Sequence, residues 1–135
     1  MIKCETLGMI DVAKNNPVLK SNKDVANYSF IVDDGNTYVV MNTVNGDDSY
    51  KEGIVMKAGE PLNGFDLKAW EGQRLIIDGK HIDGEFATVS VADTVLIVDE
   101  ATGKLKSGSA SGTHLVVKGT TRLTEDAVIA KIVIA

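Results

Sequence analysis

One cysteine, two histidines and one tryptophan in 135 residues are few, and each scarcity excludes a class of protein. The lone Cys4 cannot form an internal disulfide, which argues against a stapled secreted module and fits a reducing compartment or plain packing. His81 and His114 stand in no HxxxH, HExxH or Cys/His pattern, so neither signals a transition-metal site, and both are expected as ordinary surface or hydrogen-bonded histidines. Aromatic residues are only 5% of the chain, fewer than a sugar-binding face uses. No apolar run approaches the roughly 18 residues of a membrane span, and Lys3 and Glu5 are followed by no apolar signal region. Neither a membrane partner nor a leader is expected, and Cys4 lies too close to Met1 for a lipoprotein cleavage site. Basic charge is also short, with 14 Lys and Arg against 19 Asp and Glu, a net charge of -5 and a pI near 4.9. That sign opposes phosphate gathering, so no direct nucleic-acid partner is expected. Asn27-Tyr28-Ser29 matches the glycosylation tripeptide, but without a secretory route it is expected to stay unmodified.

What is present is ordinary globular material: 44% hydrophobic and 24% charged residues, in a length suited to one domain with a real core. In "NYSFIVDDGNTYVVMNTV", Tyr28, Phe30 and Val32 alternate, then Asp33-Asp34-Gly35-Asn36 breaks the run. Gly35 and Asn36 tolerate the positive φ of a tight turn, which predicts a β-hairpin. "TVLIVDEATGKLKSG" predicts a second, turning between Asp99 and Gly103. Further apolar runs at Ile54 to Met56, Leu75 to Ile77, Phe86 to Val91, Leu115 to Val117 and Val128 to Ile134 read as strands. The fold class expected is mainly β: a small β-barrel, β-tulip or sandwich-like domain with at most one or two short helices. Leu7 to Lys14 could be one helix, and "GFDLKAW" could make a single turn around Phe65 and Trp70.

The expected layout is an N-terminal arm or short helix over residues 1–25 and a β-rich domain over 26–135. The closing "AVIAKIVIA" is apolar on both faces. Such a strand is buried on both sides, or is covered by another subunit, because exposed it would invite aggregation.

Catalytic patterns fail one by one. Asn45, Asp47 and Ser49 imitate half a calcium loop, but Tyr50 and Met56 occupy the positions of the turn glycine and the bidentate glutamate. "ATGKLKSG" has Leu105 where a phosphate loop needs Ser or Thr, and "SGSASGTH" centres on Ala110 rather than a nucleophilic serine. "DGKHIDGE" gathers Asp78, Lys80, His81, Asp83 and Glu85, which could serve acid–base chemistry around a pocket but more often mark consecutive turns. Asp66, Glu71 and Arg74 near Trp70 could form a ligand platform. No enzymatic activity, metal or cofactor is expected.

"MIKCETLGMIDVAKNNPVLK", "KAGEPLNGFDLKAWEGQRLIIDG", "VLIVDEATGKLKSG" and "TEDAVIAKIVIA" together resemble the short β-rich proteins of tailed-bacteriophage and prophage structural modules, particularly those of Gram-positive hosts. Within that group the chain is similar to capsid decoration, or cement, proteins. The resemblance implies a virion protein on the capsid exterior, synthesised in the bacterial host cytoplasm. Its partners would be the major capsid protein and other copies of itself, often as a trimer at three-fold sites. The resemblance implies no catalysis and no cofactor. On this reading the contact residues are Leu7, Met9, Ile10 and Val12 of the arm, with Asn15-Asn16-Pro17 turning the chain back, and Val128, Ile132 and Ile134 of the last strand. A tail or other minor virion component remains an alternative. So does a small carbohydrate- or peptide-binding module presenting Trp70, Tyr38 and Tyr50.

Overall fold

A computed structural model describes residues 1–5, 18–43 and 51–134. Three antiparallel sheets account for most of it. The largest joins β1 (Ile2–Cys4), β8 (Arg74–Asp78), β12 (Asp126–Val133), β11 (His114–Arg122), β9 (Val95–Asp99) and β10 (Lys104–Ser107), in that spatial order. The second runs β2 (Val18–Leu19), β7 (Leu62–Asp66), β5 (Asn36–Val40), β4 (Phe30–Asp33), and the third pairs β3 (Val25–Ala26) with β6 (Val55–Met56). The domain is mainly β, as the alternation predicted.

Period-two burial builds the six-stranded sheet. Leu75 and Ile77 of β8, Leu115 and Val117 of β11, and Val128, Ala130 and Ile132 of β12 all point into one core. There they meet Phe30, Val39 and Phe65 from the second sheet. Each fully buried Leu, Ile or Phe contributes roughly 2 kcal/mol of transfer free energy. A second, smaller core of Val25, Val40, Met56 and Leu62 lies between the four- and two-stranded sheets. Two links curl the sheets together: Ile82 bridges Leu105 in parallel, and the Phe30 N–H donates to the Gly103 carbonyl at 2.8 Å.

The first hairpin forms one residue earlier than the sequence implied. Asp33 pairs with Asn36, and the two loop residues are Asp34 (φ 50°) and Gly35 (φ 79°), so Asn36 is already in β5. Positive φ at both positions matches the right-handed twist of the flanking strands. The second hairpin forms as read, between β9 and β10, closing at Gly103 with φ 75°.

Phe86 to Val91 departs from the expected strand: Phe86–Val89 is a single helical turn. The chain has just turned at Gly84 (φ 105°), and the N–H groups of Val89 and Ser90 are satisfied locally by Glu85 and Phe86 carbonyls rather than by a neighbouring strand. "GFDLKAW" divides as its residues suggest, Phe65 ending in β7 and Leu67–Trp70 forming a 3-10 turn capped by Asp66. Among the described residues no helix is long and apolar enough to cross a membrane.

The sheets also reach into the segment expected as an arm. Ile2–Cys4 and Val18–Leu19 are strands paired with β8 and β7. Residues 6–17, with the helix read at Leu7 to Lys14, lie outside the described residues, as does the calcium-loop imitation at 45–49.

Candidate functional site

The densest cluster of charge forms around Asp78, the last residue of β8. Its side chain is fully buried. Oδ2 accepts hydrogen bonds from the Met1 α-ammonium at 2.7 Å and from the Thr124 hydroxyl, while Oδ1 accepts from the Thr124 backbone N–H at 3.2 Å. Burial pushes the carboxyl pKa up, but the bonds from the ammonium and Thr124 outweigh it, so the net displacement is downward and the group stays ionised. Burial likewise lowers the Met1 amine, against the pull of Asp78.

His81 closes the other side. Its Nε2 lies 3.1 Å from the Met1 amine and its ring sits 5.7 Å from that of Tyr28. Burial first, and then the adjacent ammonium, hold its pKa down at about 4, so the neutral ring accepts a hydrogen bond from the amine near neutral pH. Glu52 meets the same ammonium as an ion pair without hydrogen-bond geometry, and Lys80 reaches Glu52 at 3.6 Å and Glu125 at 3.8 Å.

Asp83 and Glu85, the remaining carboxylates of "DGKHIDGE", do not join this cluster. Asp83 faces Lys104 at 4.0 Å, and Glu85 is exposed ahead of the helical turn. The motif therefore separates into an inward counter-ion and two outward groups. What the inward part does is mechanical: it fastens β1, the end of β8 and the turn between β11 and β12 to one another. Among the described residues no group of three or more His, Cys, Asp or Glu is arranged to hold a metal ion.

A second feature, which the sequence did not signal, is a cleft of about 310 Å³ between β4, residues 20–25 and the turn joining β9 to β10. Lys20, Ser21, Asp24, Ser29 and Thr102 line it, and Lys23 spans one end with its Nζ donating to the Glu100 carbonyl at 2.8 Å. Two stretches far apart in the chain, residues 20–33 and the turn at 100–103, make this cleft, so no local spacing could have announced it.

Other sequence candidates resolve into structure. His114 is buried with Nδ1 2.8 Å from the Gly112 carbonyl. Asn27 is buried, its amide donating to the carbonyls of Asn42 and Lys51, which removes it from any glycosylating enzyme. Trp70 packs on Phe65 with ring centroids 5.9 Å apart, Tyr38 is buried, and Tyr50 lies outside the described residues. Arg74 pairs with Glu5 at 2.5 Å instead of facing a ligand beside Trp70.

Of the expected contact residues, Leu7, Met9, Ile10 and Val12 lie outside the described residues. Val128 and Ile132 are fully buried in the main core of their own chain, and Ile134 packs against that core from a half-buried position. Strand β12 is central, flanked by β8 and β11, so its inward side chains have no surface left for a neighbour. The side chains on its other face are Ala127, itself buried, and Ile129, Lys131 and Val133. No protein-family model, curated protein or solved structure matches the chain.

Proposed function

We propose that the chain is a virion structural protein that binds the outer surface of a phage head and stabilises the major capsid protein lattice. The observation that carries this reading is Val18. It is 69% exposed on the edge strand β2, the first described residue after the segment that carries Leu7, Met9, Ile10 and Val12. An exposed β-branched residue on an unpaired strand edge offers an apolar point for a neighbouring subunit to cover. Val55, 50% exposed on β6, adds a second such point. Self-association as a trimer on the capsid belongs to the same proposal. Each contact would be modest, and many copies linking adjacent shell subunits would raise the barrier to rupture through multivalency.

The test is quantitative mass spectrometry of gradient-purified particles from the phage or induced prophage that encodes the chain. A copy number in small-integer ratio to the major capsid protein supports the proposal. A few copies per particle favours a tail or other minor component, and absence from particles overturns the reading.

The cleft beside β4 favours a second reading, a small carbohydrate- or peptide-binding module. Titration with glycan and peptide panels, followed by amide shifts of Ser29 and Thr102, tests it directly, and a saturable response confined to those residues would favour it.

A further inference from the structure

The outward side of the six-stranded sheet combines cations with β-branched side chains. Cross-strand register sets Arg74, Lys131, Val116 and Val95 in one row across β8, β12, β11 and β9. Two residues along the strands, Lys3, Ile76 and Ile129 form a second row on the same face. Lys3, Arg74 and Lys131 are exposed, while Ile76, Ile129, Val116 and Val95 are half-buried and belong to neither core cluster. Register brings two carboxylates to this face, each paired with a cation: Glu5 with Arg74 at 2.5 Å, and Asp99 of β9 with Lys106 at 4.0 Å. Among the described residues no carboxylate lies within ion-pair distance of Lys3 or Lys131. A chain in which acids outnumber bases 19 to 14 thus sets Lys3 and Lys131, with the Arg74–Glu5 pair, around a group of β-branched side chains.

We propose that this face docks on an acidic, partly apolar protein surface, that of the shell. The inference rests on the shell-binding reading and names the chemistry of the surface that would receive it. Two-fold pairing with a second copy would press Lys3, Arg74 and Lys131 against like charges, which costs affinity. A phosphate polymer would meet the excess acid of the whole chain and leave the isoleucines and valines without apolar partners. A carboxylate-bearing protein surface satisfies both components. Five strands spaced about 4.8 Å apart make the face about 20 Å wide. That is a few hundred Å², below the roughly 800 Å² per partner of a standard stable interface. One copy alone would hold weakly, and repetition over a lattice would supply the avidity.

The test uses shells purified from particles of the encoding phage in which the gene for this chain has been deleted. Purified full-length protein is added back, and co-sedimentation is measured at low and high salt for the wild type and for the double variant Lys3→Glu/Lys131→Glu. Bound wild-type protein is also footprinted by lysine acylation and mass spectrometry. The wild type is expected to pellet with shells, and the double variant to bind at least about tenfold more weakly at low salt, with the gap narrowing at high salt. Lys3 and Lys131 should be protected on bound protein while Lys57, exposed on the far sheet, stays reactive. If the wild type binds but Lys3 and Lys131 react at the rate of free protein, or the folded variant binds equally well, this face is not the docking surface and the shell reading stands. If the wild type does not bind, the shell reading fails and the inference with it.

Discussion

Asp78 and Thr124, 46 residues apart, are joined twice: the Thr124 N–H donates to Oδ1 at 3.2 Å and its hydroxyl donates to Oδ2. This pair, with the Met1 ammonium, holds a fully buried carboxylate in its charged form. Asp78→Ala removes the acceptor of these three donors and of the Glu125 N–H, 3.4 Å from Oδ1, and is expected to destabilise the fold by about 3 kcal/mol, with Thr124→Val costing about 1 kcal/mol. Urea unfolding followed by circular dichroism measures both, and a loss under about 1 kcal/mol for Asp78→Ala would refute the fastening role.

His81 gives the fold an acid limb. Its pKa is about 4 in the folded protein against an ordinary 6.5, so the unfolded chain binds a proton first as pH falls. Stability contributed by the neutral ring is therefore whole above pH 6.5, declines between 6.5 and 4, and levels below. The total loss is bounded at about 3 kcal/mol. The Met1 amine, also lowered, works in the same direction from pH 8 downward. His81→Gln should flatten the decline between pH 6.5 and 4 and leave the portion nearer pH 8, as read from thermal midpoints across that range.

Two glycines predict opposite outcomes. A Cβ at Gly79 would sit 2.9 Å from the Phe86 ring and 3.2 Å from the Asp126 carbonyl oxygen, with backbone on one side that cannot give way. Gly79→Ala is expected to cost about 1–3 kcal/mol. Gly119, at the bulge between β11 and β12, has nothing within 4 Å of an added Cβ, and Gly119→Ala should be neutral or stabilising by about 0.5 kcal/mol. Paired thermal melts decide it.

Cys4 is buried on β1 and its thiol is pushed up to about 11 by burial. Thiolate, not thiol, reacts with disulfide reagents. Ellman's reagent at pH 8 should therefore modify the native protein far more slowly than protein in denaturant, and equal rates would show that β1 does not stay docked on β8.

Much of the β architecture was written locally. Alternation in "RLIID" and "HLVVKG" marks which side chains face inward, and Asp-Gly and Thr-Gly steps mark the hairpin turns, because both signals depend on backbone sterics over a few residues. Phe86 to Val91 misled for the same reason: its apolar composition fits a strand, but whether a strand edge waits beside it depends on the distant path of β10. Val128 and Ile132 show a similar limit. "AVIAKIVIA" says that both faces are apolar, and only the position of β12 between β8 and β11 says that one face belongs to the chain's own core. The Asp78 cluster was half legible, its residues adjacent in "DGKHIDGE" while Met1, Glu52 and Thr124 arrive from elsewhere. The cleft beside β4 has no local sequence signature at all.

The pairing of Ile2 with Ile77 has a consequence in time as well as in space. The first strand of the chain cannot be docked until the eighth has been made, and the eighth is itself unsupported until β12, at the far end, lies beside it. Loop closure over such separations precedes any compensating contact, so folding should proceed in milliseconds to seconds rather than microseconds. Until the last dozen residues emerge, Ile2, Leu75 and Ile77 are unsheltered. The nascent protein is then most open to capture by chaperones, and truncation of β12 would prolong that state indefinitely.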